Sequence, residues 1–285
     1  MINQFIYEKL KNDRVETIDQ GINSLRQIIQ GIILLALYKN GFFRNCAFYG
    51  GTCLRIFHGL ERFSEDLDFC ATDDKVISLD QYEKGIIDEL NAYGLSAQIS
   101  KKTEYDTGEI LRRYIDIPIY DFFAELYDDR NLKMNRERQL SVKLELDTVN
   151  ISGAEYENQI LMTPNFASIN CFDMPSLFSG KLHALICRNW GKRVKGRDYY
   201  DYLYYLRLES SFNLSYLQNK LAYTFEKDAE SFDYDLIKKM LAEKFENVEI
   251  DMIIKDIEPF VSEKENLSYI NKEILIASID KLKIG

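Results

Sequence analysis

At 285 residues the chain can hold one large domain or two small ones, and 46% hydrophobic with 29% charged side chains is the balance of an ordinary globular protein. A net charge of −10 rules out nucleic-acid binding through the overall field, so any nucleic acid needs a local basic face. Five cysteines without a CxxC pair argue against a disulfide framework or a structural zinc site. With two histidines, any metal falls to carboxylates, which favours Mg2+ or Mn2+.

The opening MINQFIYEKLKND lacks a basic stretch followed by an apolar run, so it does not read as a signal peptide. The apolar stretch Ile28–Tyr38 is about half the length a bilayer needs and reads as a buried helix. These features predict a soluble, cytoplasmic protein with no membrane partner. Helical spacing is expected over 2–12 and 15–40, where Ile22, Leu25, Ile28, Ile29, Ile32 and Ile33 recur on one face. A short strand is expected over 46–49, broken by Gly50 and Gly51, with a helix restarting over Thr52–Phe57. A strand over Leu67–Cys70, a helix over Leu79–Ala92 and a strand near 95–100 follow. The pattern over 103–138 is mixed. Ser141–Val149 alternates cleanly: Val142, Leu144 and Leu146 face one way, and Lys143, Glu145 and Asp147 the other. After Pro164 the character changes, and helices are expected near 175–190, 197–207, 213–224, 233–245 and 266–283. No repeat or low-complexity segment interrupts the chain. The boundary falls near 165–174, giving domains over 1–170 and 171–285.

The chemistry concentrates in Phe48-Tyr49-Gly50-Gly51-Thr52 and Ser64-Glu65-Asp66-Leu67-Asp68-Phe69. In the first, strand, glycine turn and helix start let the backbone approach a phosphate, with free N–H groups and the positive end of the helix dipole behind it. In the second, Asp66 and Asp68 stand at i and i+2 on one strand, so both point to one side and can grip divalent cations. A third acid completes such sites, and the 141–149 strand offers Glu145 or Asp147. A DxD alone is most often a solvated turn. A glycine turn, a helix, DxD between apolar residues and an acid-bearing strand downstream form a far more specific set.

In this order the motifs resemble the AbiEii/AbiGii family of bacterial toxins in the DNA polymerase β-like nucleotidyltransferase superfamily. GGTCLR with SEDLDF resembles the first motif, VKLELDT the acidic strand, KLHALICR the lysine helix and KGRDYYDYLYYL the RD-containing helix, over roughly residues 48–206. The resemblance implies an α+β fold: a polymerase β-like domain with a mixed sheet, a C-terminal helical domain, and the active site between them. It implies transfer of a nucleotide from NTP to an acceptor, in several relatives a tRNA 3′ end. A neighbouring antitoxin and a role in phage defence or plasmid maintenance are also implied. On this basis Gly50, Gly51 and Thr52 bind the nucleotide, with Gly51 and Thr52 on its β- and γ-phosphates, and Ser64 is a candidate phosphate partner. Asp66 and Asp68 hold the metals; the third acid is Glu145 or Asp147, with Glu145 favoured because it sits nearer the strand's middle and the other acid serving the nucleotide or a neighbouring basic group. Lys181 neutralises the triphosphate and Asp198 orients it or the substrate, while Asp201 is structural. Arg55 and Arg197 are phosphate or ion-pair partners.

Between Lys181 and Arg207 the chain is locally basic, and Arg188, Lys192, Arg193 and Lys195 read as a loop that tracks an RNA backbone. His183 on the apolar lysine helix reads as a packed residue rather than a base. The tyrosines from Tyr199 to Tyr205 sit at the spacing of core packing, although such a run can also stack bases. Three rival readings carry a DxD or a nucleotide site. They are a hydrolase with Asp66 as phosphorylated nucleophile, a DxD glycosyltransferase, and a non-catalytic nucleotide-binding or interaction module of a defence system. The glycine turn upstream of the acids disfavours the first, nothing suggests a sugar pocket for the second, and intact acids disfavour the third.

Overall fold

The computed structural model describes residues 3–13, 17–73, 77–100, 108–127, 134–188, 194–261 and 267–285. Two compact units divide the chain. The first takes Met1–Phe57, Ser64–Asn150 and Asn158–Cys171; the second takes His58–Phe63, Ile151–Glu157 and Phe172–Gly285. The second unit therefore draws two short segments from within the span of the first.

The first unit begins with α1 (Gln4–Asn12) and α2 (Ile18–Lys39). Thr17 starts α2 with a reciprocal capping box: its hydroxyl accepts from the Gln20 N–H, and the Gln20 side chain accepts from the Thr17 N–H. By length and composition α2 could cross a membrane, but 78% of its most apolar window is buried inside the protein. It is apolar nearly all round because it is a core helix.

The strands are β1 (Cys46–Tyr49), β2 (Asp66–Ala71), β3 (Gln98–Ser100), β4 (Ile110–Pro118), β5 (Gln139–Asp147), β6 (Tyr156–Leu161) and β7 (Ala167–Phe172). Helices α3 (Gly50–His58), α4 (Asp80–Ala92) and α5 (Tyr120–Tyr127) connect them. The sheet is mixed, in the order β3-β4-β5-β2-β1-β7-β6. β1 runs antiparallel to β2 and parallel to β7, while β2 and β5 are parallel and β4 is antiparallel to both β3 and β5. Alternation sends Leu67 and Phe69 of β2 into the core, where Phe69 packs its ring 4.9 Å from Phe42 and 5.2 Å from Phe48. The same alternation leaves Asp66 and Asp68 on the opposite, half-exposed face. β5 repeats the pattern, burying Leu140, Val142, Leu144 and Leu146.

The second unit is built on α6 (Met174–Cys187), α7 (Gly196–Arg207), α8 (Leu214–Phe225), α9 (Tyr234–Asn247), α10 (Ile250–Ile257) and α11 (Lys272–Ser278). Asp173 caps α6, accepting from the Ser176 N–H. All five tyrosines of α7 are buried; Tyr205 stacks on Phe178 at 4.6 Å, and Tyr202 bonds Ser278. The run is core packing.

One expectation is corrected, and three elements lie where none was expected. The segment read as one helix over 266–283 is broken: only Lys272–Ser278 is α-helical, flanked by single turns of 3-10 helix at Leu267–Tyr269 and Ile279–Lys281. The amphipathic α10 went unread. So did β6 and β7, which complete one edge of the sheet.

Candidate active site

The acid-bearing face of the first unit is assembled by register. In the β2/β5 pairing Asp66 lies opposite Lys143 and Asp68 opposite Glu145; in the β4/β5 pairing Arg112 lies opposite Glu145. Directly paired residues share a face, so one patch collects Asp66, Asp68, Lys143, Glu145 and Arg112. Lys143 Nζ sits 3.3 Å from Asp66 Oδ2 and 3.0 Å from Glu145 Oε2, and Arg112 Nε donates to Glu145 Oε1 at 2.6 Å. Burial works to raise the pKa of Glu145, but Lys143 and Arg112 outweigh it and hold the carboxyl below its ordinary range.

The glycine turn packs directly against this patch. Gly50 opens α3 at φ +81°, and a Cβ there would lie 2.5 Å from Asp68 Oδ2. Only glycine allows the turn and the aspartate to occupy their present positions. Thr52 is fully buried and its hydroxyl donates to the Asp66 carbonyl, which ties the start of α3 to the start of β2. The group Thr52 can turn to a phosphate is its backbone N–H near the start of α3, next to that of Gly51. Gln30 donates to the Ser64 and Glu65 carbonyls and holds the approach to β2. Arg55 donates from Nε to Gln27 at 3.0 Å. Asp147 lies across from Cys70, beyond both catalytic-motif aspartates in the register, and its Oδ1 accepts from the Val149 N–H at the strand's end.

These residues fit a divalent cation as a pair of hard carboxylates, Asp66 and Asp68, with water or phosphate oxygens completing the shell. Among the described residues no three His, Cys, Asp or Glu side chains gather as a metal group. Each oxygen of Glu145 carries one contact, from Arg112 and from Lys143.

The second unit carries its own charged cluster. Lys181 Nζ bonds Asp198 Oδ1 at 2.7 Å and Asp201 Oδ2 at 2.8 Å. Arg188 reaches the other oxygen of Asp198 at 2.7 Å. Arg62 grips Asp201 through two bonds of 2.6 Å, with both side chains buried. Burial opposes the charge on Asp198, but Lys181, Arg188 and Lys195 hold it well below the usual carboxylate range. Burial, with Arg188 close by, lowers Lys195 to about 8. Arg197 lies over the Phe260 ring at 4.0 Å. Lys192 and Arg193 lie outside the described residues. His183 hydrogen-bonds Thr224 at 2.8 Å, and burial, with Lys220 and Arg188 nearby, pushes it down to about 3, so it is a packed neutral imidazole. Arg62 was missed in the sequence because its partner lies 139 residues away.

A glycine turn at a helix N-terminus, backed onto paired aspartates, suits metal-assisted chemistry on a phosphate. The chain belongs to the family described as "Nucleotidyl transferase AbiEii toxin, Type IV TA system", whose profile matches residues 32–271. It is thus a nucleotidyltransferase of a toxin family, with a nucleotide as substrate and an antitoxin as counterpart. Among solved structures it is similar to MenT4, a nucleotidyltransferase toxin from Mycobacterium tuberculosis H37Rv, at 12% identity and a TM-score of 0.56, covering 99% of this chain and 91% of that one. That likeness concerns the fold. JHP933 from Helicobacter pylori superposes more loosely, at 19% identity and a TM-score of 0.49, over 87% of this chain and 88% of that one. No curated protein matches the chain.

Proposed function

We propose that this chain moves a nucleotide from an NTP to an RNA acceptor, a tRNA 3′ end, in a reaction that depends on Mg2+ or Mn2+. The observation that carries this reading is the patch itself: Asp66 and Asp68 side by side, with Gly50 against Asp68 and the N-terminus of α3 adjoining. A divalent cation on Asp66 and Asp68 would supply charge neutralisation and Lewis acidity at the reacting phosphate. The backbone N–H groups of Gly51 and Thr52 bind phosphate oxygens, aided by the helix dipole. Glu145, kept ionised by Lys143 and Arg112, accepts a hydrogen bond from the acceptor hydroxyl and orients it. Lys181 serves as a triphosphate cation, fixed in place by Asp198 and Asp201. It lies in a cluster with Arg62, Arg188 and Lys195 around Asp198 and Asp201.

Arg188 and Lys195, with Lys192 and Arg193, supply the basic stretch for RNA in an otherwise acidic protein. The toxin acts in the cytoplasm, where NTP and tRNA are available, arrests growth by blocking the acceptor end, and serves phage defence under the control of its antitoxin. Incubating the protein with each labelled NTP and total RNA tests the reading. Label in the tRNA fraction, lost on removal of the 3′ terminus, is expected; labelling of no RNA by any NTP would overturn it.

A further inference from the structure

The arrangement around Lys143 holds more than the transfer reaction requires. Its ammonium bridges Asp66 and Glu145, at 3.3 and 3.0 Å, on the same face that presents Asp68. The side chain is about a quarter exposed (26%), as are the acids it joins, at 33% and 23%, so the bridge is neither locked in the core nor free in solvent. The patch holds three carboxylates, Asp66, Asp68 and Glu145, against two cations, Lys143 and Arg112. Lys143 thus sets a cation between two carboxylates of a face that also presents Asp68, and an opposite charge there favours their ionised forms.

Arg112 holds Glu145 through a 2.6 Å bond. Lys143 is different because its two partners have different duties. Glu145 is the acid already held by Arg112, whereas Asp66 is one of the two aspartates that fit a cation. An ammonium is a compact cation on a flexible stem, able to release one carboxylate and keep the other.

We infer that Lys143 is the built-in counter-ion of the aspartate pair: it occupies a cation position between Asp66 and Glu145, yields Asp66 to an incoming divalent metal, and so sets how tightly the pair binds that metal. This rests on the metal-dependent reading above and adds to it a residue that competes with the metal instead of ligating it. The site is then held in order while empty and is tuned towards weak metal affinity. Lys143 is a positioning residue; after metal entry it stays on Glu145 and keeps that carboxylate aimed.

The test measures metal binding directly, without nucleotide or turnover. Mn2+ is titrated into the full-length protein and followed by calorimetry and by the loss of the free-ion resonance signal. Wild type, Lys143→Met, Lys143→Arg and Asp68→Asn are compared, with melting temperatures in chelator and in saturating Mn2+. Lys143→Met is expected to tighten Mn2+ binding by about tenfold or more, since one unit charge beside a divalent ion weakens its binding by that much even at the dielectric of water. It is also expected to melt lower than wild type in chelator, with Mn2+ recovering the difference. Lys143→Arg, which keeps the charge, should keep wild-type Mn2+ affinity. Mn2+ binding lost in Asp68→Asn but unchanged in Lys143→Met overturns this inference alone. Mn2+ binding unaffected by Asp68→Asn overturns the metal reading, and this inference with it. If Lys143→Met does not fold, Lys143→Gln takes its place in the same comparison.

Discussion

Replacing Gly50 by alanine puts the contact between glycine turn and acid strand under direct strain. The added Cβ would stand 2.5 Å from Asp68 Oδ2 and 3.2 Å from both Asp68 Cβ and Cγ, where ordinary contact begins at 3.4 Å. The carboxylate must therefore retreat by about 0.9 Å, the difference between 3.4 and 2.5 Å. Rotating the carboxylate does not relieve the clash, because Asp68 Cβ is itself too close. The backbone at φ +81° adds a left-handed penalty of about 1–2 kcal/mol for any residue with a Cβ. A displacement of about 1 Å in a group that positions reactants costs roughly a hundredfold in rate. Gly50→Ala should thus lose about 1–2 kcal/mol of stability in urea denaturation and about a hundredfold in transfer at saturating NTP. Gly180→Ala is the control. It lies inside α6 with nothing within 4 Å of the added carbon, so it should gain up to about 1 kcal/mol of helix stability and transfer normally. Wild-type transfer by a folded Gly50→Ala would refute the claim that the turn and Asp68 form one site.

The two strand acids should separate. Glu145→Gln is expected to cut transfer far more than Asp147→Asn, because Glu145 is in register with Asp68 while Asp147 closes its own turn on Val149; equal mild losses would remove β5 from the site. Asp201→Asn should cost about 3–5 kcal/mol in chemical denaturation, since it strands the buried Arg62 and half-frees Lys181; a loss below about 1 kcal/mol would contradict the buried pairing. His183 is held neutral down to about 3 in the folded state, whereas the unfolded chain takes up its proton near 6.5. Its contribution is therefore present above about pH 6.5 and is lost as pH falls towards 3; His183→Gln should flatten stability against pH in that window, and an unchanged slope would argue against burial of the ring.

Much of the site was legible because its parts are local. Gly50, Asp66 and Asp68 lie within one strand–turn–helix–strand stretch, and the alternation of Val142, Leu144 and Leu146 fixed which face Glu145 takes. What joins the parts was not legible. Lys143 meets Asp66, and Arg112 meets Glu145, through strand register, and a shift of one residue would turn each of them to the other face. Spacing shows an acid but not the cations around it, as Lys143 and Arg112 stand on Glu145. Arg62 shows the same limit over a longer range: nothing near LERFSED announces a buried partner in α7. In the fold, β6 was hidden because its sequence YENQIL lies at the sheet's edge with most side chains half-buried or exposed, so no apolar alternation marks it. The last helix was overread because Leu267, Ile270, Leu275, Ile279 and Leu282 keep helix-like spacing while turning through short 3-10 segments.

The most direct measurement is nucleotide transfer by Asp66→Ala and Asp68→Ala, each shown to be folded by its circular dichroism and melting curve, using labelled NTP and tRNA with Mg2+ and with Mn2+. Loss of detectable transfer in both variants, with either metal, is the predicted result. Near-normal transfer by either variant would contradict the assignment of the aspartate pair as the centre of the reaction.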